Sequence, residues 1–148
     1  MEPVNDEDFM REAIKEARLG LSEGGIPIGS VLVQDGAVVG RGRNRRVQEQ
    51  DPTAHAEIDC LRRAGRLGSY RGATLYSTLS PCYLCSGAAA QFNIPRVVAG
   101  EAKNFAGAPE FLRGRGIEIL ILNDAECIEL MREFIAKNPK LWNEDIGR

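Results

Sequence analysis

One histidine and two closely spaced cysteines are the residues of this 148-residue chain best suited to hold a metal ion. His55 is the sole histidine, and Cys82 and Cys85 lie further along in a Pro-Cys-Tyr-Leu-Cys segment. A catalytic zinc ion takes three protein ligands, accepts imidazole nitrogen and thiolate sulfur, and keeps its fourth position for water. A structural zinc ion instead closes four ligands, often with paired cysteines. The three residues therefore predict a catalytic zinc (Zn²⁺) site.

An acidic residue, Glu57, lies two positions after the histidine. Residues two apart on a helix point to different sides, so we expect Glu57 to be a neighbour of the activated water and not a fourth ligand. A carboxyl group in that place can take a proton from the water and hand it to the reacting molecule. Glu57 is therefore the predicted catalytic residue, acting as a proton shuttle.

The other two cysteines, Cys60 and Cys127, are not expected to take part in the site. Four cysteines can in principle form two disulfides, but the acidic N-terminus leads into no apolar segment of the secretory type. We therefore expect a cytoplasmic protein, and in a reducing compartment cysteines bind metal or fill the core. Cys60 and Cys127 lie in predicted helices and suit the second role.

Composition and charge favour a small uncharged substrate. The formal net charge is -2, whereas a nucleic-acid binder usually carries a basic face. A basic cluster at Arg41, Arg43, Arg45 and Arg46 can either meet a phosphate or be solvated, and the acids that follow it favour the second reading. No apolar run approaches the roughly 18 residues needed to cross a membrane. We expect one domain over residues 1–148, with neither nucleic acid nor membrane as a partner.

The elements that must position these residues follow from periodicity and from turn signals. An amphipathic helix is predicted over 6–19 with Gly20 as its stop, and Asp35-Gly36 predicts a hairpin between strands 30–34 and 37–41. Caps at Thr53 and at Ser80-Pro81 predict helices over 54–64 and 82–92, with a strand over 74–79 between them. The metal-binding residues then lie at helix starts, where partial positive charge favours thiolate over thiol.

The second half of the chain alternates strands and helices. Apolar runs over 96–100 and 117–122 predict buried strands, separated by a short helix at 109–112, and a helix is predicted over 124–137. The final segment, 140–148, holds the sole tryptophan and is not assigned to an element. This order predicts an α/β fold, a three-layer αβα domain with a mixed five-stranded sheet.

The combined motif, His-x-Glu followed by Pro-Cys-x-x-Cys, is that of zinc-dependent base deaminases. The chain resembles the cytidine-deaminase-like superfamily over nearly its whole length, and within it the fungal cytosine deaminase type. The closer resemblance rests on the segments 23–29, 40–44, 78–82, 104–105 and 142–147. It implies the cytidine-deaminase-like fold, a zinc cofactor and a homodimer, for which we expect the apolar Ala88–Ala90 helix face to be the contact.

The resemblance also implies a set of substrate-binding residues. Asn44 and the backbone of Ala56 would bind the ring edge of a base, Asp145 would accept from its exocyclic amine, and Phe105 and Trp142 would stack on it. Ser80 and Ile28 lie in shared segments and are expected in the same pocket. From the residues alone, Asn44 is equally a turn asparagine, Asp145 a solvated tail acid, and Phe105 and Trp142 ordinary core aromatics.

The chemistry expected of this set is hydrolytic loss of an amine. Zinc lowers the pKa of its water to about 7, and the hydroxide attacks C4 of cytosine while Glu57 moves the proton to the adjacent ring nitrogen, giving uracil and ammonia. Three departures from the fungal pattern, at Asn143, at Tyr83-Leu84 and at Ala56, leave other substrates open. These are guanine, ammeline, creatinine, isocytosine and transfer-RNA adenosine, and a non-catalytic zinc module is a further alternative.

Overall fold

The computed structural model describes residues 5–148, which form seven helices and five strands. In chain order these elements are α1 (Asp6–Ser22), β1 (Gly29–Gln34), β2 (Ala37–Arg43), α2 (Arg46–Glu49), α3 (Ala56–Ala64), β3 (Ala73–Ser77), α4 (Tyr83–Gln91), β4 (Arg96–Ala99), α5 (Pro109–Gly114), β5 (Glu118–Ile121), α6 (Ala125–Lys137) and α7 (Pro139–Asp145). No helix in this range is long and apolar enough to span a bilayer.

The five strands form one mixed sheet in the order β2-β1-β3-β4-β5. Strand β1 pairs antiparallel with both β2 and β3, whereas β3, β4 and β5 run parallel. The antiparallel hairpin depends on Asp35 and Gly36, whose φ angles of 53° and 81° are those of a tight turn that twists with its strands. The parallel strands are joined through α4 and α5, as parallel pairing requires a crossover. The predicted mixed five-stranded sheet is confirmed.

Helices cover both faces of the sheet. Because side chains alternate along a strand, Val31 and Tyr76 face one core, which α1 and α6 close, while Leu32 and Leu75 face the other. That second core is closed by residues of α3, α4 and α5. The predicted three-layer αβα architecture is therefore confirmed. The face that carries α3 and α4 is the one that determines where the predicted metal ligands lie.

Two predicted helix caps are wrong. Helix α3 begins at Ala56 with His55 as its N-cap residue, and α4 begins at Tyr83 with Cys82 in that position. Thr53 donates its hydroxyl to Asp51 in the preceding turn instead, and Ser80 donates to the carbonyl of Ala106. Both hydroxyls are engaged by other polar groups, one nearby in sequence and one 26 residues away, and His55 and Cys82 occupy the N-cap positions.

Other boundaries differ from the sequence-based predictions. Helix α1 continues past Gly20 to Ser22, and the short helices α2 and α7 were not predicted because neither carries a full amphipathic period. The strand predicted as buried over 117–122 is β5, whose residues are alternately exposed and half-buried. It pairs with β4 on one side alone, so one of its edges remains open.

Candidate active site

The three predicted metal ligands meet between the starts of α3 and α4. Nδ1 of His55 lies 3.4 Å from Sγ of Cys82 and 3.6 Å from Sγ of Cys85, and the three ligand atoms lie within 4.8 Å of one another. Zn–N and Zn–S bonds of about 2.0 and 2.3 Å at a tetrahedral angle require an N-to-S separation of about 3.5 Å. The donor types and their spacing therefore fit a zinc ion.

Without a metal ion, the protein groups around this cluster favour the ligand form of Cys82 and the protonated forms of His55 and Cys85. The pKa of Cys82 is lowered to about 4, first by a hydrogen bond from the Cys85 thiol and then by His55. Burial opposes protonation of His55, but its contact with Cys82 and the charges of Glu57 and Asp145 raise the pKa of the imidazole to about 9. The pKa of the Cys85 thiol is raised by its hydrogen bond to Cys82 and by burial. Metal binding must therefore displace protons from Cys85 and His55.

Glu57 lies beside this cluster, buried in the second position of α3. Its Oε2 accepts a hydrogen bond of 3.2 Å from the hydroxyl of Ser77, the last residue of β3. Burial is the main cause that raises the pKa of Glu57 to about 7, and the charge on Cys82 adds to it. A carboxyl group with a pKa near neutrality can both take up and release a proton, which is what general acid–base chemistry needs.

A cleft opens in front of the cluster. It is lined by residues from six segments of the chain: Ile28, Asn44, His55, Glu57, Leu79, Ser80, Cys82, Phe105, Trp142, Asp145 and Ile146. The structure thus brings six of the seven predicted substrate-binding residues to the cleft. The exception is Ala56, for which the predicted contact was through the backbone; its side chain is buried in an apolar cluster that also includes Ile26 and Ile28.

Asn44 is fully buried, and its side chain serves a turn as well as the cleft. Its Oδ1 accepts from the backbone N–H of Arg46 at 3.0 Å, as a turn asparagine does. Its Nδ2 lies 3.5 Å from Oδ2 of Asp145. Since the carbonyl end is engaged by the turn, the amide NH₂ is the end that Asn44 presents to the cleft.

Asp145 is a buried acid, in contrast to the solvated tail residue that its position near the end of the chain suggests. Its Oδ1 has no hydrogen-bond partner and lies 3.7 Å from Nε2 of His55 and 3.8 Å from Nη1 of Arg46. Burial raises its pKa above the ordinary aspartate value. A buried acceptor without a donor is uncommon in folded proteins, and one that faces a cleft is suited to a donor on a ligand.

Phe105 and Trp142 meet edge to face at the cleft, with ring centroids 5.9 Å apart and an interplanar angle of 89°. Trp142 also belongs to a buried apolar cluster that includes Ile28, Leu79 and Phe134. Core packing and substrate stacking, the two interpretations of these aromatics, are therefore compatible, because the same rings complete a core and form a wall of the cleft.

The basic cluster is neither a phosphate site nor a solvated face. Arg41 and Arg43 pair with Glu16 of α1 at 2.9 and 2.8 Å, Arg45 pairs with Asp59 at 2.9 Å, and Arg46 pairs with Glu144 at 3.0 Å. The acids come from α1, α3 and α7, elements far apart in the sequence. Proximity along the chain alone could not reveal these partners.

Sequence reasoning missed four residues around the cleft. Leu79 and Ile146 line it, Ser77 binds Glu57, and Arg46 touches both Asn44 and Asp145. Leu79 and Ile146 lie inside segments that carried the resemblance, and Ile146 follows Trp142 at the four-residue spacing that puts side chains on one helix face. The role of Ser77 depends on the end of β3 lying beside α3, which no local pattern encodes.

Comparison with known proteins gives a consistent result. A family model for the cytidine and deoxycytidylate deaminase zinc-binding region matches residues 3–101. The chain is 44% identical to a cytosine deaminase of Candida albicans over 97% of both chains. The structure of a tRNA:A34 deaminase is similar at a TM-score of 0.73 and 34% identity, over 84% of this chain and 99% of that one. A guanine deaminase of Bacillus subtilis is similar at a TM-score of 0.61 and 30% identity, over 93% and 78% of the two chains.

Proposed function

The chain belongs to the family defined by the cytidine and deoxycytidylate deaminase zinc-binding region, and we propose that it hydrolyses free cytosine to uracil and ammonia. It is a zinc-dependent hydrolase of the nucleobase deaminase kind. The observation that carries the choice of substrate is the unpartnered, buried Oδ1 of Asp145 in a cleft that also contains Glu57 and the metal ligands. This acceptor requires a donor, and an exocyclic amine is one.

The polar groups of the cleft match the edge of a cytosine ring. Asp145 would accept from the 4-amino group, the NH₂ of Asn44 would donate to the carbonyl oxygen O2, and Glu57 in its acid form would donate to N3. Phe105 and Trp142 would cover the flat ring. Within the range that the structure describes, the cleft is lined by no lysine or arginine that could bind a phosphate group. Arg46, which approaches Asp145, is paired with Glu144. This arrangement supports an uncharged base over a nucleotide.

The extent of the sequence similarity supports the same substrate class. The match to the Candida albicans cytosine deaminase covers 97% of the chain and so reaches into the segment that follows residue 101. That segment supplies Phe105, Trp142 and Asp145. The family model, by contrast, ends at residue 101, so it includes the metal ligands, Glu57 and Asn44 but none of these three residues. Metal chemistry is thus common to the family, and the later segment is where a substrate is selected.

His55, Cys82 and Cys85 would hold the zinc ion, which when bound activates a water molecule for attack on the amine-bearing carbon. Glu57 takes a proton from that water and delivers it to N3, and it later transfers the second proton to the departing amine. Asp145 keeps the amine oriented until it leaves as ammonia. Burial of Glu57 and the aromatic wall exclude other water, which strengthens each of these interactions.

An ammonia-release assay tests the substrate. Purified holoenzyme is offered cytosine, isocytosine, guanine, ammeline, creatinine, cytidine and a tRNA anticodon arm with adenosine at the wobble position. We expect turnover of cytosine at a kcat/KM well above that of the others, and turnover by Glu57→Gln lowered by about 100-fold or more. Turnover of guanine or of the tRNA arm alone would overturn the proposal in favour of the activity named for the two solved relatives.

We further propose a cytoplasmic homodimer that acts in pyrimidine salvage. Of the predicted contact through Ala88–Ala90, Ala89 and Ala90 are buried in the protein's own core and Ala88 is half-buried. The exposed side of α4 instead carries Tyr83 and Leu84, which are 78% and 43% exposed. Large apolar side chains on an open helix face suit a two-fold contact. The four cysteines are all free, which supports a reducing compartment.

Light scattering coupled to size exclusion tests the dimer. We expect about twice the chain mass for the parent protein and the single-chain mass for the double variant Tyr83→Ser with Leu84→Ser. Leu19→Ser, which removes an equally exposed apolar side chain from α1, serves as the matched control and should leave the mass unchanged. A monomeric parent protein would refute the proposed dimer.

A further inference from the structure

A fully buried acid, Glu101, lies outside the chemistry described so far. It follows β4 and is not exposed at all. Among residues 5–148 it forms no ion pair within 4.0 Å. Burial of a carboxylate without a cation is costly unless hydrogen bonds compensate it. The partners of Glu101 should therefore reveal what its burial achieves.

Those partners all belong to the turn that follows Glu101. Oε2 accepts from the backbone N–H groups of Lys103 and Asn104 at 2.7 and 3.0 Å, and Oε1 accepts from Nδ2 of Asn104 at 2.8 Å. Nδ2 of Asn104 also donates to the carbonyl of Ile128 in α6 at 3.0 Å. The carboxylate of Glu101 thus stabilises the turn, and Asn104 within that turn binds α6. The next residue after this fastened turn is Phe105.

Ser80, in the segment that leads into Cys82, binds both ends of the same loop. The backbone N–H of Ser80 donates to the carbonyl of Glu101 at 2.8 Å, and the Ser80 hydroxyl donates to the carbonyl of Ala106 at 2.9 Å. Gly107 has a φ of 70°, and a Cβ there would collide with the Ser80 hydroxyl, so the approach is close. Phe105 is therefore held between two fixed points.

We propose that Glu101 is a positioning residue that fixes Phe105 against Trp142 and so sets the aromatic wall of the cleft. Three hydrogen bonds to one carboxylate determine the path of the chain immediately before Phe105. The edge-to-face contact of Phe105 with Trp142 transmits this constraint to α7. The kinetic part of the inference rests on the proposed function, whereas the packing part does not.

The substitution Glu101→Gln tests the proposal with a readout that needs no substrate. An amide of the same shape offers one acceptor oxygen in place of two, so an N–H group of the turn loses its partner. Trp142 is the sole tryptophan, which makes intrinsic fluorescence a direct report on its contact with Phe105. We expect a red-shifted emission maximum and at least twofold faster acrylamide quenching, with zinc content unchanged. Unaltered fluorescence would overturn the proposal whatever the enzyme's substrate is.

The kinetic readout separates positioning from general damage. We expect KM for cytosine to rise about tenfold and kcat to change less than threefold, since the wall contacts the ring and not the reacting atoms. In a Phe105→Ala background, Glu101→Gln should change KM less than twofold, because its effect acts through Phe105. Full additivity of the two substitutions would overturn the proposal.

Two further variants keep the test decisive. Asn104→Ser removes one donor to Glu101 but keeps both backbone donors, so it should shift fluorescence and KM in the same direction by a smaller factor. It replaces Glu101→Gln as the test variant if the latter fails to fold. Glu110→Gln, which neutralises an exposed acid of α5, is the matched control and should change neither fluorescence nor KM.

Discussion

His55 and Cys82 stand at the starts of α3 and α4, helices that pack on the central sheet, whereas Phe105, Trp142 and Asp145 belong to a loop and to a seven-residue helix at the periphery. The metal side of the cleft is positioned by the core that α3 and α4 share with the sheet, and its ligands follow directly from where those helices begin. The substrate side is positioned by the apolar cluster around Trp142 and by individual polar contacts, such as those of Glu101 and Arg46. The metal ligands are thus positioned by the central helices of the fold, and the substrate-binding residues by peripheral segments that pack against them.

This difference has a consequence for substitutions. Changes on the metal side should remove the reaction itself, because no other residue can supply a lost ligand or proton carrier. Changes to polar residues on the substrate side should spare zinc and fold and alter binding, since these residues are not part of the apolar clusters. The comparison is informative because both sides face the same cleft.

The largest effect is expected from loss of a ligand. Cys85→Ala should bind much less than one zinc per chain and lose all detectable turnover, because three protein ligands are the minimum for a catalytic site. Inductively coupled plasma mass spectrometry of the purified variant measures the metal. Cys60→Ala removes a fully buried cysteine of α3 that is not a ligand and is the matched control. It should keep zinc and lose only stability, and full zinc retention in Cys85→Ala would contradict the assignment.

The second largest effect on turnover is expected from substitution of Glu57, the proposed proton shuttle. Glu57→Gln should retain zinc and fold but lower kcat by about 10²- to 10⁴-fold, because the amide preserves shape and cannot carry protons. Steady-state kinetics with the preferred base measures it, and Glu133→Gln on the exposed side of α6 should have no effect. A kcat within a few fold of the parent value would remove Glu57 from the mechanism.

The sequence predicted the metal side better than the substrate side for a physical reason. His55, Glu57, Cys82 and Cys85 lie in two short motifs at helix starts, and helix starts can be read from local residues. Asp145 could be assigned only through the resemblance, since its burial depends on α7 folding back onto Asn44 and Arg46, about a hundred positions earlier. The pairing of the four arginines was misread for the same reason, as their acids come from distant helices.

Asp145 is the residue where the two sides of the cleft meet, and its substitution sharpens the comparison. Asp145→Ala should raise KM for cytosine about 10- to 100-fold, because the amine of the bound base loses its buried acceptor. Its Oδ1 also lies 3.7 Å from Nε2 of His55, so zinc affinity is measured in parallel with a chelator competition. Unchanged zinc affinity with raised KM assigns Asp145 to substrate recognition. A fall in zinc affinity with unchanged KM would assign it to the metal side instead.

The smallest effect on kcat/KM is expected from loss of the ion pair between Arg46 and Glu144 of α7. The Arg46 guanidinium pairs with Glu144 at 3.0 Å and approaches Asp145, while its backbone N–H holds Asn44. Arg46→Gln removes the first contacts, together with a 3.2 Å hydrogen bond from the guanidinium to the carbonyl of Pro52, and keeps the last, so it tests the docking of α7 and of this loop. Because Glu144 is mostly exposed, the ion pair is worth about 1 kcal/mol or less, and kcat/KM should fall no more than about fivefold.

Ionic strength provides an independent check on the same contact. Salt screens exposed charges, so the parent enzyme at about 1 M salt should lose part of its kcat/KM and the Arg46→Gln variant should lose less. Arg43→Gln is the matched control, because Arg43 pairs with Glu16 and Glu23 away from α7 and should affect stability without altering kcat/KM. A fall of a hundredfold in Arg46→Gln would show that α7 depends on this one ion pair. The apolar packing of Trp142 against Ile28 and Leu79 would then contribute little to holding the substrate side in place.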